Sequence, residues 1–580
     1  MDKKTVSFMR SLCMGQIEEE VIVPFPSLSD SERETLQTVV GSVGQLMGSH
    51  AQDFRTWDEQ AELPADFIEE LRGFGLFGLV IPEDQGGLGF GASAYSRALQ
   101  EVAKFDASVA VTIGAHSSIG MRGLLLFGSD EQRERFYPKL ATGEMIAAFC
   151  LTEPGSGSDA ASIKTNAVKD GDDWVLNGSK IWITNGGIAD FFTVFAKTGG
   201  ADERGKLSAF IVTRDMPGVT TGPHEEKMGI RASSTTTVTL DNVRVPAKNL
   251  LGEEGKGFKV AMNILNSGRT GLGGGSVGGM KRLIALATQQ AKGRVQFGKP
   301  ISEFGLIKQK VGQMVVDCYA TEAVVSMVAS LNDRGFGEYQ VEAAISKVFA
   351  SECLWRTADE ALQIAAGNGY MCEYPYERTL RDSRINRIFE GTNDVLRLFI
   401  ALTAMNDVGQ SLREVAEGLK GAFNDPIKGF GVLSEYALRR GALATGIKRE
   451  GTAFTKLHVV LTPVAAMFEE QTRDLATATD RILRKHGRKI IDKQFATRRL
   501  ADIMIDLFVL ACVLSRVDAA VRAKGEDGAK AERDILATFA GQARRRIKST
   551  MAEIDDNEDE AIKALADHAF EREKFAWDTL

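Results

Sequence analysis

Ile146-Ala147-Ala148-Phe149-Cys150-Leu151-Thr152-Glu153-Pro154-Gly155-Ser156-Gly157-Ser158-Asp159 is the stretch on which the fold reading turns, because the hydrophobic period changes there. Upstream, from about Asp30, apolar residues recur at helical spacing, as in Phe67-Ile68-x-x-Leu71 and Tyr95-x-x-Ala98-Leu99-x-x-Val102. Ser129, three residues ahead of Gln132, marks a helix start in the manner of a capping box. Downstream, Trp174-Val175-Leu176 and Lys180-Ile181-Trp182-Ile183-Thr184 read as strands. They flank Asn177-Gly178, a pair that tolerates left-handed dihedrals, so a tight hairpin is expected there. Residues 192–195, 207–212 and 237–240 carry the β region on to Pro246. After Gly257 the helical period returns, over 311–328, 341–366 and 394–405, and a Gly-rich connection with Pro426 leads into a further helical segment. The fold expected is mainly α with a central β domain: helical domain 1–147, β domain 148–256, helical bundle 257–405 and helical extension 406–580.

Composition narrows the function classes. A chain of 580 residues, 44% hydrophobic and 26% charged, can bury a large core in several domains. Its net charge of -8 gives no footprint for nucleic acid. Cys13, Cys150, Cys318, Cys353, Cys372 and Cys512 are scattered without metal-ligand spacing, so neither a disulfide framework nor a metal site is expected. With no apolar run behind Lys3 and Lys4, and none of about eighteen residues elsewhere, neither export nor membrane spanning is expected. Gly273-x-Gly275-x-x-Gly278 matches the dinucleotide fingerprint by letters only. The segment before it reads as helix rather than strand, so close helix packing is the better account.

Three elements carry candidate chemistry. In 150–159, glycines permit close backbone approach and hydroxyls can accept a polar or phosphate-bearing group, although a surface loop fits the same residues. Residues two apart on a strand share a face, so Trp182 and Thr184 project together, away from Ile181 and Ile183. An aromatic wall beside a hydroxyl suits a flat heterocycle; core packing of Trp182 is the alternative. In Arg387-Ile388-Phe389-Glu390-Gly391-Thr392-Asn393-Asp394, a carboxylate sits in an apolar run ahead of a helix that Thr392 can cap. Burial would raise its pKa and helix-terminal amides would lower it, and the sequence leaves the outcome open. A carboxylate so placed can serve as a general base.

With loop 150–162, Trp182-Ile183-Thr184-Asn185, Arg294-x-x-Phe297-Gly298-Lys299, Gln363-x-x-x-Gly367-x-Gly369 and Phe389-Glu390-Gly391-Thr392 in this order, the chain resembles the acyl-CoA dehydrogenases over essentially its whole length. Leu126-Phe127-Gly128, Gly268-Arg269, Phe304-Gly305-Leu306-Ile307 and the long C-terminal extension are similar to the very-long-chain branch. The resemblance implies FAD, with Thr152 and Thr184 bonding the flavin, Trp182 flanking it, and Phe149, Leu151, Ser158 and Ile183 among its contacts. It implies that Arg294, Phe297, Gln363 and Gly367 reach the FAD of a partner subunit in a homodimer, and that Thr392, Asn393, Asp394 and Gln494 also touch the cofactor. Ser158, Arg269, Phe389 and Gly391 would meet the acyl-CoA. Glu390 would take the α-proton of a long acyl-CoA, giving trans-2-enoyl-CoA in fatty acid β-oxidation, with electrons passed to electron-transfer flavoprotein.

Some relatives carry the base at the position of Gly268, and glycine cannot act as one. Ala366 departs from the glycine usual in this motif, and its methyl is expected to be tolerated; Gly305 stands where shorter relatives have a glutamine. Ala110 and Gly114, four apart on a helix, present small side chains that would leave room for an acyl tunnel or else serve tight packing. Residues 428–456 carry six positive and two negative side chains among apolar ones, a pattern that by itself fits a solvated helix or mobile loop better; the resemblance implies instead that they lie on a membrane surface. A scaffold protein of the same fold and an acyl-CoA oxidase are the alternative functions. The setting expected is a prokaryotic cytoplasm with peripheral attachment to the inner membrane, or the mitochondrial matrix face if the source is eukaryotic.

Overall fold

The structure, a computed structural model, describes residues 6–199, 206–421, 440–441 and 451–579. Apart from 440–441 and 451–456, the basic stretch 428–456 lies outside the described residues. Two compact units account for the chain: Pro26–Val395, and Val6–Phe25 together with Leu396–Leu580. Residues 6–25 therefore leave the expected 1–147 domain. Phe8 is buried between Phe468 and Phe508, with ring centroids 6.5 and 6.0 Å away, and Glu19 accepts the Thr455 and Lys456 main-chain N–H groups. The division at Val395 also falls inside the expected 257–405 domain.

In the first unit, helices from Asp30–Ser49 to Asp130–Thr142 bury Leu71, Phe77, Leu99, Val102, Val109 and Ile113 in one core. The expected capping box is present: Gln132 N–H donates to Ser129 Oγ and Ser129 N–H to Gln132 Oε1. His116, in the π-helical turn Ala115–Gly120, is fully buried. Its Nε2 lies 3.1 Å from Phe77 O and its Nδ1 accepts the Ala147 N–H at 2.9 Å, which fixes where the first strand begins. Burial pushes its pKa down to about 4, so the ring is a neutral tie at neutral pH.

The β domain is an eight-stranded sheet of β1 (Ala147–Cys150), β2 (Asn166–Asp170), β3 (Asp173–Thr184), β4 (Phe191–Thr198), β5 (Lys206–Thr213), β6 (Val219–Thr221), β7 (Thr235–Val245) and β8 (Leu250–Leu251). Its order is β6-β7-β3-β2-β4-β5-β8, with β1 parallel to β4. The hairpin expected at Asn177-Gly178 is absent: both residues lie inside the continuous strand β3. The turn is instead at Gly171-Asp172, where Asp170 pairs with Asp173 and Gly171 has φ 65°. At Gly178 the β3–β7 register shifts, and a Cβ there would lie 2.3 Å from Thr165 Oγ1, so glycine is required by close approach rather than by a turn.

The helices that follow include Gly257–Gly293, Gly305–Asp333 and Gln340–Ala365. The glycines of the nucleotide-like motif lie mid-helix in Gly257–Gly293, against Ala92–Ala103 and Gly305–Asp333. A Cβ at Gly278 would stand 2.2 Å from Gln100 O, and one at Gly273 2.8 Å from Val325 Cγ2, whereas one at Gly275 meets only Ala103 Cβ at 3.8 Å. Close helix packing is the motif's role. Gly275→Ala should hold or raise the melting temperature, alanine being about 1 kcal/mol better than glycine in a helix. Gly278→Ala should lower it by several degrees, read by differential scanning fluorimetry; equal effects at the two sites would contradict the packing account.

The second unit is helical, with Asn406–Gly421, Thr462–His486, Gln494–Gly528, Lys530–Glu553 and Asp559–Arg572 among its elements. Inside it Arg499 forms a two-pronged bond with Asp559 at 2.7 and 2.8 Å, and Ser515 Oγ donates to Ile22 O.

Candidate active site

The first half of the site is a loop pinned to a bulge. Loop 150–159 turns at Glu153-Ser156, and the Ile181 N–H donates to Thr152 O at 3.0 Å. Beneath it, buried Lys180 meets Glu153 at 2.7 Å, and Glu153 also accepts the Lys164 and Thr165 N–H groups and the Thr165 hydroxyl. Burial works against the Glu153 carboxylate, but these donors outweigh it and hold its pKa below the usual range. The β3–β7 register shifts again between Lys180 and Ile183, and Trp182 takes φ 56°. This bulge, not simple alternation, turns the indole outward, 65% exposed, while Ile183 enters the sheet core. Ile183 can thus offer a ligand only its main chain. Thr152 and Thr184 remain half-buried beside Trp182, Ser158 is exposed, Leu151 is buried, and half-buried Phe149 stacks edge-on to Phe195.

The second half is the turn around Glu390. Glu390 (φ 56°) and Gly391 (φ 91°) are both left-handed, and Thr392 Oγ1 accepts the Val395 N–H at 3.2 Å, capping the helix that begins at Asn393 as expected. The residue as a whole is half-buried, yet Glu390 Oε2 is out of reach of solvent and accepts no hydrogen bond. A Cβ on Gly268 would stand 2.9 Å from Glu390 Oε1 and 2.6 Å from Ile119 Cγ2. A side chain at position 268 would therefore press on the Glu390 carboxylate and on Ile119, and one of them would have to shift to admit it. Of the two opposing effects on Glu390, burial wins: it pushes the pKa up to about 7, with Arg269 and Lys347 restraining the rise. Buried Arg269 donates to Asn266 Oδ1 at 2.9 Å.

Lys347 went unnoticed in the sequence. It is fully buried in Gln340–Ala365 and donates to Gly391 O at 2.8 Å and Asn393 Oδ1 at 2.9 Å. The signal available was a lysine inside the apolar run Ala343-Ala344-Ile345-Ser346-Lys347-Val348-Phe349-Ala350. Asn393, expected at the cofactor, spends its amide on Lys347, Ser351 and Glu352, whereas Thr392 is half-buried and Asp394 exposed. Phe389 and Gly391 are half-buried in the same turn.

Arg294, Phe297, Gln363 and Gly367 are not gathered into this cluster; all four are exposed, Phe297 by 93%. Gln494 is exposed at the start of its helix in the second unit. Ala366 takes φ 54°, ψ -129°, a conformation suited to glycine, so its methyl is carried at a strain of about 1–3 kcal/mol rather than freely. Ala110 and Gly114 are buried. A Cβ at Gly114 would make only ordinary contacts, 3.8 Å to Leu99 and 4.0 Å to the Tyr95 hydroxyl, so packing does not demand a glycine there. A cavity of about 110 Å³ lined by Tyr95, Ser117, Ser118, Arg122, Ser267 and Thr270, among others, adjoins this region without touching Ala110 or Gly114.

These residues fit a flat, partly polar ring system: an outward indole and two half-buried threonine hydroxyls on one strand and its loop, with a buried, unpartnered carboxylate oxygen elsewhere in the same unit. The ionisation of Glu390 gives a test. With its pKa raised in the fold, the stability of the protonated form is fully present below about 4.5 and is lost as pH rises to about 7. Glu390→Gln should therefore melt higher than the parent at pH 8, with the difference vanishing near pH 4.5. A constant difference across that window would contradict a buried, raised-pKa carboxylate.

Comparison with known proteins gives the kinship. The family descriptions "Acyl-CoA dehydrogenase, N-terminal domain", "middle domain" and "C-terminal domain" match residues 33–144, 148–243 and 255–405, and "ACAD9/ACADV, C-terminal domain" matches 460–575. The mitochondrial very long-chain specific acyl-CoA dehydrogenase of Bos taurus is 42% identical over 559 residues, covering 95% of this chain and 84% of that protein. A probable acyl-CoA dehydrogenase of Bacillus subtilis is 36% identical, covering 90% and 86%. The structure of an acyl-CoA dehydrogenase complexed with FAD from Bacillus anthracis superimposes with a TM-score of 0.79 at 32% identity, covering 94% and 91%. Butyryl-CoA dehydrogenase from Megasphaera elsdenii gives 0.62 at 38%, covering 98% of that chain but 65% of this one. With all three catalytic-core domains and the C-terminal domain matched in order, the chain belongs to the acyl-CoA dehydrogenase family.

Proposed function

We propose that this protein dehydrogenates long or very-long-chain acyl-CoA to trans-2-enoyl-CoA in fatty acid β-oxidation, with Glu390 as the base. The observation that carries this reading is the unpartnered Oε2 of Glu390, buried over Gly268 in a setting that brings its pKa to about 7. A base poised near neutrality can both accept the α-proton and release it between turnovers. Arg269 and Lys347 keep enough of the carboxylate ionised at working pH to act. Thr152, Thr184 and Trp182 would hold FAD, which when bound supplies the acceptor for the hydride leaving the β-carbon. Ser158 and Arg269 would serve the thioester and its CoA.

Partners are proposed on the same footing. A homodimer is supported by the exposed apolar side chains of Phe297, Leu306, Tyr370 and Met371, more than a lone surface carries at little cost. Electron-transfer flavoprotein is the proposed acceptor, and 428–456 the proposed attachment to an anionic membrane surface in the cytoplasm or matrix.

Anaerobic titration of the yellow protein with acyl-CoAs of increasing length should bleach it most completely with long chains. Glu390→Gln should keep its FAD and fail to bleach with palmitoyl-CoA; undiminished bleaching would remove Glu390 from its role. Deletion of 428–456 should abolish binding to anionic vesicles at low salt, and retention of binding would exclude that segment as the anchor.

A further inference from the structure

We propose that Lys347 is a positioning residue for the base: from inside the helical core, its ammonium clamps the turn that follows Glu390 and sets a positive charge beside the carboxylate. The inference rests on Glu390 being the base.

Burying an ammonium is unfavourable unless its protons are accepted and its charge is answered. Two of its hydrogen bonds go to Gly391 O at 2.8 Å and Asn393 Oδ1 at 2.9 Å, both neutral acceptors in the turn that carries Glu390. Asn393 in turn donates to Ser351 Oγ at 3.0 Å and Glu352 Oε1 at 3.1 Å, so both ends of its amide are anchored on the helix that holds Lys347. The clamp closes directly after two successive left-handed residues, one of them not glycine. Such a turn keeps its shape only if its surroundings over-determine it, and Lys347 with Asn393 supplies that constraint.

The charge has a separate consequence. Lys347 faces Glu390 and Glu352, which favour its charged form, and Arg269 and Arg387, which oppose it, while burial is the largest effect and brings its pKa down to about 7. Glu390 is answered by Arg269 and Lys347, and it also acts on the buried Tyr95 hydroxyl. A positive neighbour favours the ionised carboxylate, so the charged lysine lowers the pKa at which the base becomes active. Removing that charge should move the acid limb of the rate profile upward. A role in fold stability alone would leave the limb in place.

The test is the pH dependence of kcat/KM for palmitoyl-CoA in FAD-loaded Lys347→Met and Lys347→Arg. In Lys347→Met the acid limb should rise by about one pH unit, and kcat should fall at least about tenfold while KM changes much less. Lys347→Arg, which keeps the charge, should hold the limb near its parental position. If Lys347→Met does not fold, Lys347→Gln removes the charge with a polar side chain and reads the same limb. An unmoved limb in the uncharged variant, or an equal shift in Lys347→Arg, overturns the proposal. Glu390→Gln run alongside separates the two failures. An active Glu390→Gln refutes the base itself, whereas an inactive one beside an unmoved limb refutes only the part given to Lys347.

Discussion

A carboxylate with one oxygen, Glu390 Oε2, out of solvent and without a hydrogen-bond partner, set against a glycine, is the constraint on which the candidate site depends. Burial of Glu390 raises its pKa toward neutrality, and the same burial makes its ionised form a liability to the fold. The surrounding structure offsets that liability with the positive charges of Arg269 and Lys347, which favour the ionised carboxylate. Reactivity and strain are in this sense one feature. The left-handed Glu390-Gly391 pair accompanies a side chain set against Gly268, where an added Cβ would displace Glu390 or Ile119.

The opposite half of the site is organised by a different device. The β3 bulge, the Ile181–Thr152 hydrogen bond and the buried Lys180–Glu153 pair turn a glycine-rich loop of ambiguous sequence into a fixed shelf beside an outward indole. A buried lysine thus underlies each half: Lys180 under the loop, Lys347 under the Glu390 turn. Both are long side chains that reach from a regular element to irregular chain, Lys180 donating to Leu151 O and Glu153 and Lys347 to Gly391 O and Asn393 Oδ1.

Residues 6–25 show how far sequence order and packing can diverge. Their apolar side chains, Phe8 above all, have their partners more than four hundred residues away, at Phe468 and Phe508. The Asn177-Gly178 pair makes the same point locally. Its left-handed tolerance suited a turn, but the approach of Thr165 used the missing side chain to let a continuous strand bend and pass.

What the sequence determined by itself was everything that depends on period and local propensity. The switch from helix to strand near Phe149 was legible in it, as were the return to helix after Gly257, the capping box at Ser129, the Thr392 cap and the exclusion of nucleotide binding at Gly273-x-Gly275-x-x-Gly278. Glu390, Trp182 and Thr152 could be singled out from it as candidates, because residues of their types at that spacing can carry chemistry wherever the backbone puts them. Tertiary structure decided that burial sets the direction of the Glu390 pKa, that a side chain at position 268 would press on that carboxylate, that Asn393 bonds a buried lysine, and that Trp182 faces outward through a bulge. Each of these rests on the approach of segments distant in the chain, and burial, close contact and charge pairing between such segments leave no periodic trace in the residues themselves.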